Sequence, residues 1–481
     1  MNIGLIQLPA LGLELKGYFD SPIFLNNVYN RVMPASLLRV GSVIKNESTY
    51  EARLLDLRIK EPDRKERYRT FEWEGYKINC YMFGAPFSSA EELIEWSDVI
   101  GISTHFSFES SIVKEFMHYA RAKKPNVKIM VGGADAKARP GFYLQCGADK
   151  VFTEDFNPVE LDKDWSEQKI VWNYPHPLKK LCKPDFSLLE NIDEYKDSHD
   201  GPVPEGVPFP IGFIYFTKGC PRDCDFCESR LSKYNTLDLE SSVNSLEFYR
   251  ESGVKSLNIV DDNLLLQTAS PDGRKKVMLL FKEIARLGFA WEFPNGLEVG
   301  LLFRDGKVDE ELFNALFFRE ETGGAIKGCY RLYFPIETFD EREKYHKLKG
   351  LDVQNAIISA LAEKQIPEIA FGVILPVQAN QNTMAAIRSE YKKIRLLLKS
   401  KSKGRTIARY GIFNLIPLAT FRNMNTKYPI DNYPELWNFY TPPYDGVNLT
   451  AKELFETRMS LTKEIDPENF KSMAIGKYGY G

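Results

Sequence analysis

The sequence predicts an α/β protein built from two parallel-sheet domains and a small C-terminal extension, and three observations predict it. Apolar strand-like runs alternate with segments of helical period on both sides of a proline- and glycine-rich stretch. The first alternation, over residues 1–155, has the makeup of a doubly wound, Rossmann-like sheet. The second, over residues 208–416, contains six strand-helix units, the content of a partial (β/α)6 barrel of the TIM type. At 481 residues the chain exceeds one ordinary core, in keeping with such a division.

In the first domain Ile3 to Leu8 is a short apolar run, Met33 to Lys45 carries helical periodicity through Leu37, Leu38 and Ile44, and Ala52 to Ile59 returns to strand. After an insertion, Asp98 to Thr104 is a strand, Glu109 to Lys123 a helix and Val127 to Gly133 a strand, and Asp149 to Asp155 closes the set. A sheet of this kind binds ligands beyond the carboxyl ends of its strands, which nominates Leu8, Pro9, Ser103, Thr104, His105, Gly132, Gly133 and Glu154. Paired glycines let a ligand approach the backbone closely, although Gly-Gly after a strand is more often a simple turn. Residues 156–207 change character, with Tyr174-Pro-His-Pro177 and the run from Asp200 to Pro208 unable to support regular helix or central strand, and read as a linker.

From Pro208 the alternation resumes. Leu239 to Glu251, Arg274 to Leu287, Val308 to Phe318, Asp352 to Lys364 and Thr383 to Lys399 are helices; Val254 to Val260, Ala290 to Phe293, Cys329 to Ile336, Glu368 to Leu375 and Ile407 to Ile416 are strands. Barrel enzymes place chemistry at strand carboxyl ends, here Asp261-Asp262-Asn263, Pro294-Asn295-Gly296, Pro335-Ile-Glu337-Thr, Pro376 and Pro417-Leu-Ala-Thr420. Asp and Asn at such places also serve as ordinary helix caps. The extension, 417–481, is rich in Tyr and Pro and turns helical from Leu449 to Lys463; Trp437, Tyr440 and Tyr444 suit either a pocket lining or a packed subdomain.

The first strand of the second domain runs through Phe213-Ile-Tyr-Phe into a loop with Cys220, Cys224 and Cys227, spaced C-x3-C-x2-C. Three thiolates this close can grip one metal centre. A structural zinc site closes with four ligands, and a plain iron-sulfur cluster uses four thiolates, so three in one loop suggest a cluster with one iron left open. Zinc completed by Cys182, Cys329 or a histidine is the alternative, disfavoured because no second CxxC-like pair exists. With 7 Cys spread through the chain, a disulfide framework is disfavoured too, and a reducing compartment suits the count.

This spacing at the end of a strand resembles the signature of the radical S-adenosylmethionine (SAM) enzymes. The resemblance implies that Cys220, Cys224 and Cys227 hold a 4Fe-4S cluster whose open iron is chelated by SAM, that Phe226 packs near the adenine, and that Asp262, Asn263 and Glu337 bind the ribose and amino acid portions. The first domain is similar to the cobalamin-binding domain of the cobalamin-dependent members. Met33-Pro-Ala-Ser-Leu-Leu-Arg-Val-Gly, Leu54-Leu-Asp56, Asp98-Val-Ile-Gly-Ile-Ser and Val131-Gly-Gly133 carry that similarity. The D-x-H-x-x-G loop that supplies a lower cobalt ligand in many cobalamin proteins is absent. Either cobalamin binds without that histidine, or the domain has kept the fold and lost the cofactor; His105 is the one histidine at a strand's carboxyl end there.

The function implied is reductive cleavage of SAM to a 5'-deoxyadenosyl radical and, with cobalamin, methylation of an unactivated carbon. A cobalamin-free radical enzyme, a cobalamin-dependent rearrangement and a non-catalytic zinc scaffold stand as alternatives. Expected partners are a small-molecule or peptide substrate and a reductant such as flavodoxin or ferredoxin. A net charge of -3 argues against a nucleic-acid binder carried by a large basic field. No stretch approaches the apolar length of a membrane span, and the first residues lack a basic region followed by an apolar core, so the expected location is the cytoplasm.

Overall fold

The structure, a computed structural model, describes residues 1–18, 22–25, 31–172, 183–198, 201–224, 226–339, 350–415 and 426–474. The sixth-strand end Pro417–Thr420, Cys182 and Tyr174–Pro177 lie outside the described residues. The chain divides into two compact units: Met1–His176, Leu181–Asp197 and Ile416–Tyr444 form one, and Pro177–Lys180, Ser198–Leu415 and Asp445–Gly481 the other.

The first unit is built on a six-stranded, fully parallel sheet. Its strands are β1 (Asn2–Gln7), β4 (Glu51–Asp56), β7 (Val99–Ser103), β8 (Lys128–Gly132), β9 (Lys150–Phe152) and β10 (Ile170–Val171), in the order β10-β9-β8-β7-β1-β4. Ile3, Leu5, Val99, Ile100, Ile129 and Val131 are fully buried in it, which is why the runs are continuously apolar. Helix α1 (Ala35–Glu47) follows β1 and helix α2 (Ser110–Lys123) follows β7. The strand order reverses between β1 and β7, so the switch point of a doubly wound sheet lies there.

Three features of this unit depart from the sequence expectation. The run Ala52 to Ile59 is strand only as far as Asp56, whose carboxylate accepts the Arg58 N–H at 3.0 Å and caps a short helix, Leu57–Lys60. The insertion is itself ordered: β5 (Lys65–Trp73) and β6 (Tyr76–Phe83) lie in it and, with β2 (Ala10–Lys16) and β3 (Ile23–Phe24) from the segment before Met33, form an antiparallel sheet in the order β3-β2-β6-β5. Glu74 and Gly75, both at positive φ, make the two-residue turn between β5 and β6. Within the stretch expected as linker, β10 adds a strand to the parallel sheet, and Trp165, Leu188 and Tyr195 are buried.

The second unit carries six parallel strands that neighbour one another in chain order: β11 (Ile211–Ile214), β12 (Ser256–Ile259), β13 (Ala290–Phe293), β14 (Ala325–Glu337), β15 (Glu368–Leu375) and β16 (Ile407–Asn414). Arg319–Thr322 pairs antiparallel with β14. The intervening helices are α3 (Leu239–Glu251), α4 (Pro271–Arg286), α5 (Glu310–Leu316), α6 (Leu351–Glu363) and α7 (Gln381–Lys401), followed by α8 (Ala451–Ile465). Their starts are set locally. Asp238 accepts the Ser241 N–H at 2.7 Å, Ser270 caps α4 ahead of Pro271, and Asn380/Thr383 and Thr450/Glu453 form capping boxes. Among the described residues no helix is long and apolar enough to cross a membrane.

Candidate functional site

The cysteine loop is an excursion closed by a short ribbon. After β11, Thr217–Lys218 pairs antiparallel with Asn235–Thr236, and the three cysteines lie between. Gly219 has φ +76°, and a Cβ there would stand 2.6 Å from the Ser232 and Lys233 carbonyl oxygens, so only glycine fits this entry to the loop.

Two carboxylates from the end of β12 hold the loop in place. Asp261, buried, accepts the Phe216 N–H at 3.1 and 3.2 Å and the Thr217 hydroxyl at 2.6 Å. Asp262 accepts the Gly219 N–H at 2.6 Å through one oxygen and the Ser229 hydroxyl at 2.6 Å through the other. The Cys220 N–H donates to the Ser229 carbonyl at 3.0 Å, joining the loop's two ends, and the Cys227 N–H donates to the Cys224 carbonyl at 3.1 Å. Asp262, expected at a SAM contact, thus has both oxygens engaged by the loop itself.

Cys220, Cys224 and Cys227 line one pocket together with Arg222, Asp262, Asn263, Asn295, Gly296, Leu297, Glu298 and Pro335. Its walls come from the carboxyl ends of β11 to β14, as the barrel rule requires. Gly296, at φ +76°, lets the β13 end approach β14: a Cβ there would meet Pro335 Cδ at 2.8 Å and the Tyr333 carbonyl at 2.9 Å. Asn263 donates from Nδ2 to Cys220 Sγ at 3.4 Å and to Glu298 Oε2 at 2.9 Å. Arg222 holds the same Glu298 carboxylate, through Nε to Oε2 at 3.2 Å and through Nη2 to Oε1.

The thiols share the pocket without being gathered into a ready-made metal site; among the described residues no such cluster of His, Cys, Asp and Glu is present. A thiolate triad in a loop is drawn together by its metal, because binding and ordering are coupled. The donor set fits an iron-sulfur cluster: three thiols and, among the described residues, no further cysteine and no histidine in the lining, with an amide donor on one sulfur. Cys329, a candidate fourth ligand for zinc, is fully buried in β14 outside this lining, and burial pushes its thiol up.

Phe226 is half-buried in the loop and Glu337 is buried at the end of β14, and neither lines the pocket. Glu337 sits at φ +62°, where the register between β14 and β15 shifts, a conformation costing a side-chain-bearing residue about 1–3 kcal/mol. Arg222 and Glu298 were not singled out from sequence. Arg222 stands inside the cysteine motif, but Glu298 follows the strand end by several residues in irregular chain and carries no local signal.

Burial pushes the Asp261 carboxyl up to about 7, against hydrogen bonds from Thr217 and Phe216 that pull it down. Between its ordinary value of 3.8 and about 7 the folded chain holds a proton that the unfolded chain releases. Its contribution to stability is therefore fully present below about pH 4 and is lost as pH rises through about 7. Asp261→Asn is expected to flatten that part of the stability profile, which urea midpoints for the second unit at the two ends of this window would measure.

In the first unit, Leu8 and Pro9 are buried where β1 runs on into β2. Thr104 and the two glycines come together: the Thr104 N–H donates to the Gly132 carbonyl at 2.8 Å, and Gly133, at φ +107°, packs so closely that a Cβ would lie 2.2 Å from the Thr104 carbonyl oxygen. The Thr104 hydroxyl is 3.1 Å from the Tyr143 hydroxyl, and Glu154 forms a buried ion pair with Lys137 at 2.8 Å. Ser103 is half-buried and His105 exposed, its ring edge-on to Phe106 at 4.6 Å. At this edge His105 is exposed, while the Thr104 and Glu154 side chains are engaged within the protein.

Solved structures of similar architecture settle the fold. The cobalamin-dependent SAM radical enzyme OxsB superposes with a TM-score of 0.61 at 11% identity over 93% of this chain and 64% of that one. Its complex with aqua-cobalamin and SAM gives 0.58 at 12% identity, over 96% and 67%. The chain has the fold of the cobalamin-dependent radical SAM enzymes. Among curated proteins, the chain is 23% identical to the cytidylyl-2-hydroxyethylphosphonate methyltransferase of Streptomyces wedmorensis over 294 residues, 51% of each chain. It is 23% identical to an uncharacterized methyltransferase of Pyrococcus horikoshii over 231 residues, 45% of each. These alignments span about half the length of the curated relatives. No family model matches the chain.

Proposed function

We propose that this chain is a radical SAM enzyme and, with cobalamin held by the first unit, a methyltransferase acting on an unactivated carbon. The observation that carries the proposal is that Cys220, Cys224 and Cys227 line one pocket at the carboxyl end of the first of six sequential parallel strands. When bound, a 4Fe-4S cluster, SAM and cobalamin supply electron transfer, hydrogen abstraction and a methyl group, chemistry that no side chain provides. The chain's own residues hold and shield. Asp261 and Asp262 fix the loop, Leu297 and Pro335 give the pocket apolar wall, and the Arg222–Glu298 pair lines one side. The relation to two methyltransferases supports methyl transfer as the outcome.

The test is an anaerobic absorbance spectrum with iron, sulfide and cobalt analysis of protein from cells supplied with cobalamin. Cluster absorbance with stoichiometric corrin is expected, and products one methyl heavier should follow. Protein with zinc and no iron would overturn the proposal.

A second reading is a radical SAM enzyme without cobalamin. It is favoured by the engagement of Thr104 and Glu154 within the fold and by the missing D-x-H-x-x-G loop. A cluster without corrin selects it. Gly133→Leu sharpens the choice. The added side chain drives into the Thr104 carbonyl, so at least about 1–3 kcal/mol of first-unit stability goes, and corrin uptake falls while iron per chain stays at the wild-type level. Undiminished uptake would place the corrin elsewhere.

A further inference from the structure

We infer that the Asn263 side-chain amide is a positioning residue of the cluster: it donates a hydrogen bond to the Cys220 thiolate, with Glu298 aiming it, and thereby raises the cluster's reduction potential. This rests on the radical SAM reading above.

The amide has two N–H groups and two acceptors. Nδ2 lies 3.4 Å from Cys220 Sγ and 2.9 Å from Glu298 Oε2, and since neither a thiolate nor a carboxylate can donate, the pair of them decides which end of the amide is nitrogen. Glu298 is itself anchored: Arg222 grips its carboxylate, and that arginine belongs to the cysteine loop. A ring thus runs from the loop through Arg222, Glu298 and Asn263 back to the loop at Cys220. The position suits Asn and not its acid. An Asp would set a carboxylate against both a thiolate and Glu298, with no proton to bridge them.

Asn263 is 8% exposed, and its Oδ1 is buried without a partner in the protein. An unmet buried acceptor costs about 1–3 kcal/mol. Turning the amide over would give neither anion a donor, so the orientation stands and the oxygen is left on the wall of the cysteine pocket for a donor that a ligand brings. The side chain therefore does not act as a helix cap, and none is seen from it on the short 3-10 turn that follows.

Reduction of an iron-sulfur cluster adds negative charge that spreads onto its sulfurs, and a hydrogen bond to a sulfur stabilises the reduced form. Removing the donor should therefore move the potential to a more negative value. Removing the negative charge of Glu298 while keeping an acceptor for Nδ2 should move it the opposite way. A purely structural role predicts neither sign.

The experiment is an anaerobic potentiometric titration, followed by electron paramagnetic resonance, on cluster-reconstituted wild type, Asn263→Leu, Asn263→Ser and Glu298→Gln, with iron and sulfide counted in each. A more negative potential for Asn263→Leu and a less negative one for Glu298→Gln are expected. An unchanged or less negative potential in a fully loaded Asn263→Leu overturns the inference and leaves the radical SAM reading standing. Should the leucine variant fail to load, Asn263→Ser, whose shorter side chain cannot span to the sulfur, decides by the same sign. A wild-type chain that takes up no cluster overturns the radical SAM reading, and the inference with it.

Discussion

Cys224→Ala is expected to leave a folded chain that holds no 4Fe-4S cluster and forms no 5'-deoxyadenosine from SAM. Even changes to residues behind a metal ligand cost about 10–100-fold in affinity or activity, and loss of one of only three thiolates should exceed that. The loop itself should survive. The Asp261 and Asp262 contacts act on residues 216–219 and 229, and the Cys227 N–H bonds to a backbone carbonyl that alanine keeps. Iron and sulfide per chain should fall to background, while thermal unfolding stays near wild type. Wild-type yields of 5'-deoxyadenosine from this variant would sink the assignment.

The strands that sequence reading located best are those buried on both faces. Ala290–Phe293 and Glu368–Leu375 form over the residues their apolar runs mark, and helix Leu239–Glu251 begins at the cap Asp238. Burial on both faces leaves a mostly apolar run, here interrupted only by Glu292 in the first and opened by Glu368 in the second. The antiparallel sheet of the first unit carries a weaker sequence signal: its edge strand Lys65–Trp73, within the insertion, is mostly solvent-facing and its alternation is diluted by charge. A signal was present in Glu74-Gly75, a two-residue turn between alternating segments.

At the site, the cysteines were legible because their spacing is itself the chemistry. The partners of Asp262 were not. A carboxylate at a strand end looks the same in sequence whether it faces a ligand or, as here, the Gly219 N–H and the Ser229 hydroxyl of a neighbouring loop. Glu298 was invisible for a related reason: it meets Arg222 and Asn263 only because three strand ends converge.

The largest effect on stability is expected at a buried ion network among the strands of the second unit. Arg331, fully buried, lies 3.2 Å from Glu292 and 2.9 Å from Glu368, and also donates to the Pro202 carbonyl, while Ser198 donates to Glu292. These are cross-strand neighbours in register on β13, β14 and β15, and none of the three lines the cysteine pocket.

Arg331→Leu leaves two carboxylates buried without their cation, and breaking a buried pair in this way costs about 3–5 kcal/mol, a large share of the roughly 5–15 kcal/mol that holds a domain folded. Arg409, 3.5 Å from Glu368, offsets part of that. Urea unfolding followed by tryptophan fluorescence would read the loss, since Trp291 is buried beside Glu292 in β13. Adding Glu292→Gln and Glu368→Gln to Arg331→Leu should recover much of it, because the penalty comes from stranded charge and not from lost attraction. If the single variant costs less than about 1 kcal/mol, the network is hydrated and contributes little. If the triple variant is no better than the single one, packing around the guanidinium, and not its charge, is what the three strands depend on.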